Sequence, residues 1–248
     1  MAPVRHALAA LLLLVACKNE KATTAPAPAD KPKPVEQFKP LTNEADDTFK
    51  IAPFTPLGPA VPDDVKRIEL NGDTAPETAP RVLLVPLGDT YLAQVTPLLA
   101  ALDDAGSEVW LKHPDLNLAY KVELRDEKAW QDWIDEPVPG KLRVIHRADG
   151  FELQTNMGKL PGTDPNGPSV PVRGGRMDLP TLRKGFERVK TRFKDAPDVC
   201  FAPSMGLSVS DIASALAANY PTADEPIFGQ LCLVYPRPGT RASRDAGK

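Results

Sequence analysis

The sequence predicts an α/β (α+β) protein built from two related βαβ-containing modules with small mixed sheets, preceded by a disordered Pro-rich tether. Three observations predict it. First, the segment 79–101 recurs at 196–218, an offset of 117 residues, with seven of 23 positions identical. Second, strand-length apolar runs alternate with segments of helical periodicity, the pattern of βαβ units. Third, the chain holds 28 prolines against 16 glycines, and nine of the prolines fall between residues 18 and 62. Hydrophobic residues at 42% and charged residues at 25% are values of a globular chain and exclude a wholly disordered one. The formal charge of −3 argues against a nucleic-acid binder with a basic face.

Residues 1–16 read as a secretory signal peptide. Arg5 and His6 give the positive start and residues 7–15 a leucine-rich apolar run, too short for the roughly 20 residues that cross a bilayer. The run ends Leu14-Val15-Ala16-Cys17, which resembles the bacterial lipobox and assigns lipidation to Cys17. Two or more acyl chains there hold the mature protein on a membrane, since each buried methylene contributes about 0.8 kcal/mol. Lys18 follows the cysteine, which by resemblance to enteric sorting favours the outer over the inner membrane. Loss of Arg5 leaves 29 basic against 33 acidic residues, a net charge of −4. The expected localisation is the cell envelope, facing the periplasm.

Residues 17–62 form the lipidated N-terminus and Pro/Ala-rich linker, too polar to offset the entropy of ordering, with Phe49-Lys50-Ile51 and Phe54 the candidates for docking on the body. A first, partial repeat spans 63–136 and a second, fuller one 137–236. In the first, the strand around Val82-Leu83-Leu84 precedes a helix whose apolar face holds Leu92, Val95, Leu99 and Leu102. Pro97 should kink this helix or delay its start to Thr96. Val109-Trp110-Leu111 closes the unit as a strand and, after a five-residue insertion, matches Leu231-Cys232-Leu233. Residues 118–125 make a further strand, and a short helix from Asp126 carries Trp130 and Trp133.

In the second repeat, residues 141–147 and 151–156 alternate as strands around the turn Ala148-Asp149-Gly150. Residues 169–173 are a short strand. A helix opened by Asp178 buries Leu179, Leu182, Phe186, Val189 and Phe193 and leaves a basic face, read as solvated. The strand at Val199-Cys200-Phe201, a helix capped by Ser208 and the strand at Leu231-Cys232-Leu233 complete the second βαβ unit. Residues 237–248 read as a disordered tail. With Cys17 lipidated, Cys200 and Cys232 remain; a disulfide between them and two buried thiols are both compatible with an oxidising compartment.

The order strand, Asp-Gly turn, strand, loop, amphipathic helix, Ala-Pro-Asp-Val strand, helix, strand over 141–236 resembles the periplasmic domain of the ExbD/TolR biopolymer-transport family. The carrying residues are Val144-Ile145-His146-Arg147-Ala148-Asp149-Gly150, the helix 179–193, Ala196-Pro197-Asp198-Val199-Cys200-Phe201 and Leu231-Cys232-Leu233-Val234. Residues 81–112 carry a partial copy. The family places a transmembrane helix with an essential Asp ahead of this domain; here a lipid anchor stands instead, so proton conduction by that route is not expected. The resemblance implies a non-enzymatic accessory or scaffold in biopolymer transport or energy transduction, with envelope proteins or like domains as partners and the membrane held through lipid on Cys17.

The chemistry of the chain points the same way. His113 and His146 are the only histidines after the signal, and no G-x-S-x-G, phosphate loop, CxxC or calcium-loop spacing occurs, so no catalytic residue, cofactor or metal is assigned. The alternative is a periplasmic small-molecule or peptidoglycan-binding module, with Trp130, Trp133 or Tyr120 at the wall of a cleft between the repeats. A hydrolase would need His146 or His113 to meet a nucleophile within a cleft.

Overall fold

The computed structural model describes residues 53–239. The first half contributes β1 (Lys66–Leu70), which has only two apolar residues, and the strand-length apolar runs β2 (Arg81–Pro86), β3 (Glu108–Lys112) and β4 (Ala119–Arg125). The second half contributes β5 (Leu142–Arg147), β6 (Gly150–Thr155), β7 (Gly158–Lys159), β8 (Val170–Pro171), β9 (Asp198–Ala202) and β10 (Gln230–Val234). The helices are α1 (Leu92–Asp104), α2 (Glu127–Asp135), α3 (Leu179–Arg192) and α4 (Val209–Leu216).

The described residues form a mixed α/β fold whose strands join in one ten-stranded sheet, in place of two small ones. Its order is β1-β2-β3-β4-β10-β9-β5-β6-β7, with β8 beside β6. β1, β2 and β3 run parallel, and so do β4, β10, β9 and β5. The joint is β4. Its first residues pair antiparallel with β3, from Val122↔Val109 to Ala119↔Lys112, and its last pair parallel with β10, from Glu123↔Cys232 to Arg125↔Val234. Two separate sheets would leave β3 and β10 as open edges; a strand between them satisfies the backbone groups of both.

The period of two sorts side chains onto two faces. Val82, Leu84, Val109, Leu111, Val199, Phe201, Leu231 and Leu233 join the main core with the buried faces of α1, α3 and α4. Cys200, Cys232 and Val234 point the other way and form a smaller cluster under Trp133 of α2. At the hairpin of β5 and β6, Gly150 has φ +145°, and a Cβ there would collide with the carbonyl of Val170, so β8 can approach only a glycine.

Pro97 sits inside α1, yet the helix begins at Leu92. The hydroxyl of Thr96 donates to the carbonyl of Ala93, the acceptor that the missing N–H of Pro97 would otherwise leave open. The linker boundary also shifts. Phe54 lies under the guanidinium of Arg183 at 4.5 Å, the carbonyl of Leu57 accepts from Tyr120 at 3.1 Å, and Ala60 bridges to Leu118. Residues 53–62, expected in the tether, thus belong to the folded body, whereas Cys17 and linker residues 17–52 lie outside the described residues. Arg237, expected to open the tail, is held by Asp104 at 2.9 Å and Asp126 at 2.6 Å; residues 240–248 lie outside the described residues.

Candidate functional site

In open α/β sheets, ligands bind beyond the carboxyl ends of parallel strands, where helix N-termini point free N–H groups outward. The corresponding loops here follow β2 and β9. Each strand is terminated by a proline, Pro86 or Pro203, and each loop ends in an N-cap, Tyr91 for α1 and Ser208 for α4. The two N-caps are antiparallel bridge partners. Leu92 N–H donates to Leu207 O at 3.0 Å, and Val209 N–H donates to Thr90 O at 2.8 Å. Tyr91 and Ser208 stand 117 residues apart, as do Leu92 and Val209 and Thr90 and Leu207, so each bond is the 117-residue counterpart of the other. Ala93 N–H adds a bond to Met205 O at 3.1 Å. The helix starts that could have received an anion are closed on each other.

Leu87, Tyr91 and Met205 protrude from this junction, each more than 40% exposed. Beside it, Nδ1 of His146, at the end of β5, lies 2.9 Å from Oγ of Ser204. Burial holds the His146 imidazole below its ordinary pKa, while the charge of Asp211 acts in the opposite direction. Asp211 itself accepts from the hydroxyl of Ser208 at 2.7 Å. Ser204 is exposed on the loop surface, and among the described residues no carboxylate is hydrogen-bonded to the His146 ring. His113 is 4% exposed and its Nδ1 accepts from Asp115 N–H at 3.2 Å, far from this pair in role.

At the opposite ends of α1 and α4 a cleft of about 620 Å³ opens, lined by Asp103, Ser107, Glu108, Val109, Lys121, Val122, Glu123, Leu124, Tyr220, Gln230 and Leu231. Asp103 and Tyr220 are again 117 residues apart, and Val109 and Leu231 are matched across the five-residue insertion. The carboxylates are engaged. Glu108 accepts from Lys121 at 2.6 Å and from Trp110 Nε1 and Arg81 Nε at 2.8 Å, which lowers its pKa to about 2. Asp103 accepts from the Tyr235 hydroxyl at 2.7 Å, and burial with this bond pushes the phenol pKa up.

The residues expected at a cleft wall are elsewhere. Trp133 is 5% exposed, donates to Asp198 at 2.6 Å, and lies between Arg125 at 5.2 Å and Lys141 at 4.9 Å, above Cys200 and Cys232. Trp130 packs beside it with a buried, unpartnered Nε1. Tyr120 is fully buried on the other face of the sheet, its ring 5.3 Å from that of Tyr220, and burial raises its pKa. None of the three lines the 620 Å³ cleft. Cys200 and Cys232, directly opposite in the β9–β10 register, are joined by a disulfide. The basic face of α3 is partly engaged: Arg183 donates to Tyr220 O at 2.8 Å and Lys190 to Ala196 O at 2.6 Å.

No family model, curated protein or solved structure matches the chain. Function must therefore be read from this geometry. Among the described residues no group of three His, Cys, Asp or Glu is placed to hold a metal, and no helix is long and apolar enough to cross a membrane. The Ser204–His146 contact and the Tyr220 rim went unnoticed in the sequence. The repeat offset was the signal that could have found Tyr220, as the counterpart of Asp103.

Proposed function

We propose that the chain is a non-enzymatic envelope lipoprotein, anchored through Cys17 and facing the periplasm, that serves as an accessory or scaffold in ExbD/TolR-type biopolymer transport or energy transduction. The observation that carries this reading is the reciprocal bonding of the two N-caps, Tyr91 and Ser208. It turns two βαβ units into a fixed pair and occupies the place where an α/β enzyme would open its ligand crevice. That arrangement suits holding partners better than transforming a substrate. The disulfide of Cys200 and Cys232 supports an oxidising compartment, as a periplasmic location requires. Lys18 favours the outer membrane.

The test is in-cell crosslinking of the full chain followed by identification of captured proteins. Motor, receptor or envelope-spanning proteins are expected, and their consistent absence would count against the transport role. Substitution C17A should release the protein from the membrane fraction; unchanged sedimentation would remove the anchor from the reading. A second reading, a peptidoglycan or small-molecule binding module, is favoured by the cleft. Co-sedimentation of the full chain with purified peptidoglycan, lost on Tyr220→Ala, would select it.

A further inference from the structure

The sheet has one edge that the protein's own second half shows how to fill. β1 and β5 occupy equivalent places: Lys66 pairs with Val82, and Leu142 pairs with Val199, the residue 117 positions on. Arg67 is thereby equivalent to Arg143, Ile68 to Val144 and Glu69 to Ile145. The outer edge of β5 carries β6, antiparallel, with Arg143↔Gln154, Val144↔Leu153 and Ile145↔Glu152. The Arg143 side chain also reaches across to Thr155 O at 3.3 Å. The outer edge of β1 carries no strand among the described residues.

Backbone geometry makes that edge receptive. Leu70 O accepts from Leu87 N–H on the β2 side at 3.1 Å, so by alternation the amides of Arg67 and Glu69 point outward. The hydroxyl of Thr74 donates to Glu69 O at 3.0 Å and Glu77 pairs with Lys66 at 2.6 Å, so the connector 71–80 already meets the Glu69 carbonyl, and the outward amides of Arg67 and Glu69 are the groups left for an incoming strand. The Arg67 side chain is exposed, without the backbone acceptor that its counterpart Arg143 finds on β6.

We infer that the outer edge of β1 receives one extended strand of a partner polypeptide, antiparallel, in the register that β6 takes on β5. The β6 template and the charges of β1 define its chemistry. A Glu or Gln stands opposite Arg67, a Leu, Ile or Val opposite Ile68, and a Lys or Arg opposite Glu69, where β5 has Ile145. The inference rests on the scaffold reading for its purpose, not for its test: strand binding without any captured envelope protein would keep the edge and remove the transport role.

The probe is a synthetic peptide with the sequence of residues 149–156, carrying lysine at the position of Glu152. Added to the full chain, it should slow hydrogen exchange at the amides of Arg67 and Glu69 by at least about tenfold, the factor of one added hydrogen bond's worth of stability. R67P removes one outward amide and should abolish the protection at the other, that of Glu69, with an unchanged far-UV circular dichroism spectrum. As a second variant, R67E should lose the probe and regain binding to a peptide with lysine in place of its glutamine. No protection at Arg67 and Glu69, or protection indifferent to both variants, overturns the inference. Amides already protected in the free chain also overturn it, because a second copy or the chain itself then holds the edge.

Discussion

The two halves of the sheet share a frame and differ in what is built around it. Both place two parallel strands and a crossover helix beside an outer parallel strand, β1-β2-α1-β3 and β5-β9-α4-β10. In the first, residues 71–80 alone connect the outer strand to its neighbour. In the second, residues 148–197 make that connection and supply β6, β7, β8 and α3. The second half also carries the disulfide and the cluster of Phe186, Phe201 and Phe228, with ring centroids 5.9 and 6.0 Å from Phe186. The second half carries the added strands, α3 and the disulfide, and among the described residues the first half ends the sheet at β1 with no strand beyond it.

The strongest way to break this contrast is through the core of the second half. Phe186 is fully buried, and Phe186→Ala should cost about 4 kcal/mol in denaturant unfolding. Leu99→Ala, in the buried face of α1, should cost about 3 kcal/mol. If the contrast extends to stability, native-state hydrogen exchange places β9 and β10 above β1 and β2 in protection, and Phe186→Ala removes that ranking while Leu99→Ala does not. Equal protection in the unmodified protein would reject the contrast.

The disulfide is the next lever. It closes a separation of 32 residues between strands already paired in register, and its removal by C200A with C232A should cost about 2 to 4 kcal/mol. Exchange should quicken first at β9, β10 and α2, because Trp133 packs on the sulfurs. A loss spread evenly over both halves would mean that β4 couples them too tightly for their stabilities to differ.

The same contrast separates what was legible in the sequence from what was not. Elements with their own periodicity were legible: α3 from its apolar spacing and Asp178 cap, the β5–β6 hairpin from Asp149-Gly150, both βαβ units from the repeat. β1 was not, because Lys66-Arg67-Ile68-Glu69-Leu70 offers only two apolar positions and gains its burial from β2. The single sheet was hidden too, since nothing in residues 119–125 announces a strand that serves two neighbours. Trp130, Trp133 and Tyr120 looked like wall residues because exposure is not written in a side chain; Arg125, Lys141 and Asp198, remote in sequence, decide that Trp133 is covered.

The N-cap pair offers a smaller test that works in both directions. Ser208 accepts from Asp211 N–H at 3.0 Å, and Ser208→Ala should cost about 1 kcal/mol. Tyr91, its counterpart, is 45% exposed and lends no such cap, although Gln94 accepts from its N–H at 2.8 Å. Tyr91→Ser should give the first half the cap of the second and stabilise by about 0.5 kcal/mol in thermal unfolding. A loss on Tyr91→Ser would show that the tyrosine ring, not its backbone, holds the junction.

A last, pH-dependent effect lies at the cleft. Glu108 belongs to the first half, and its partners Lys121 and Arg81 have side chains 59% and 36% exposed, so solvent weakens the network. Glu108→Gln should therefore cost no more than about 1 kcal/mol at pH 7. The sign of its pH dependence follows from the lowered pKa. The folded carboxyl stays ionised down to about pH 2, whereas the unfolded one takes up a proton near 4.5. Its stabilisation is complete above pH 4.5 and fades as pH falls toward 2. The melting-temperature gap between the unmodified protein and E108Q should close over that window at low salt, and shrink at pH 7 when salt is raised. Gln230 stands at the matching place in the second half and carries no charge. A Gln230→Ala gap should therefore ignore pH, and any acid-dependent change there would show that the two sides of the cleft titrate together.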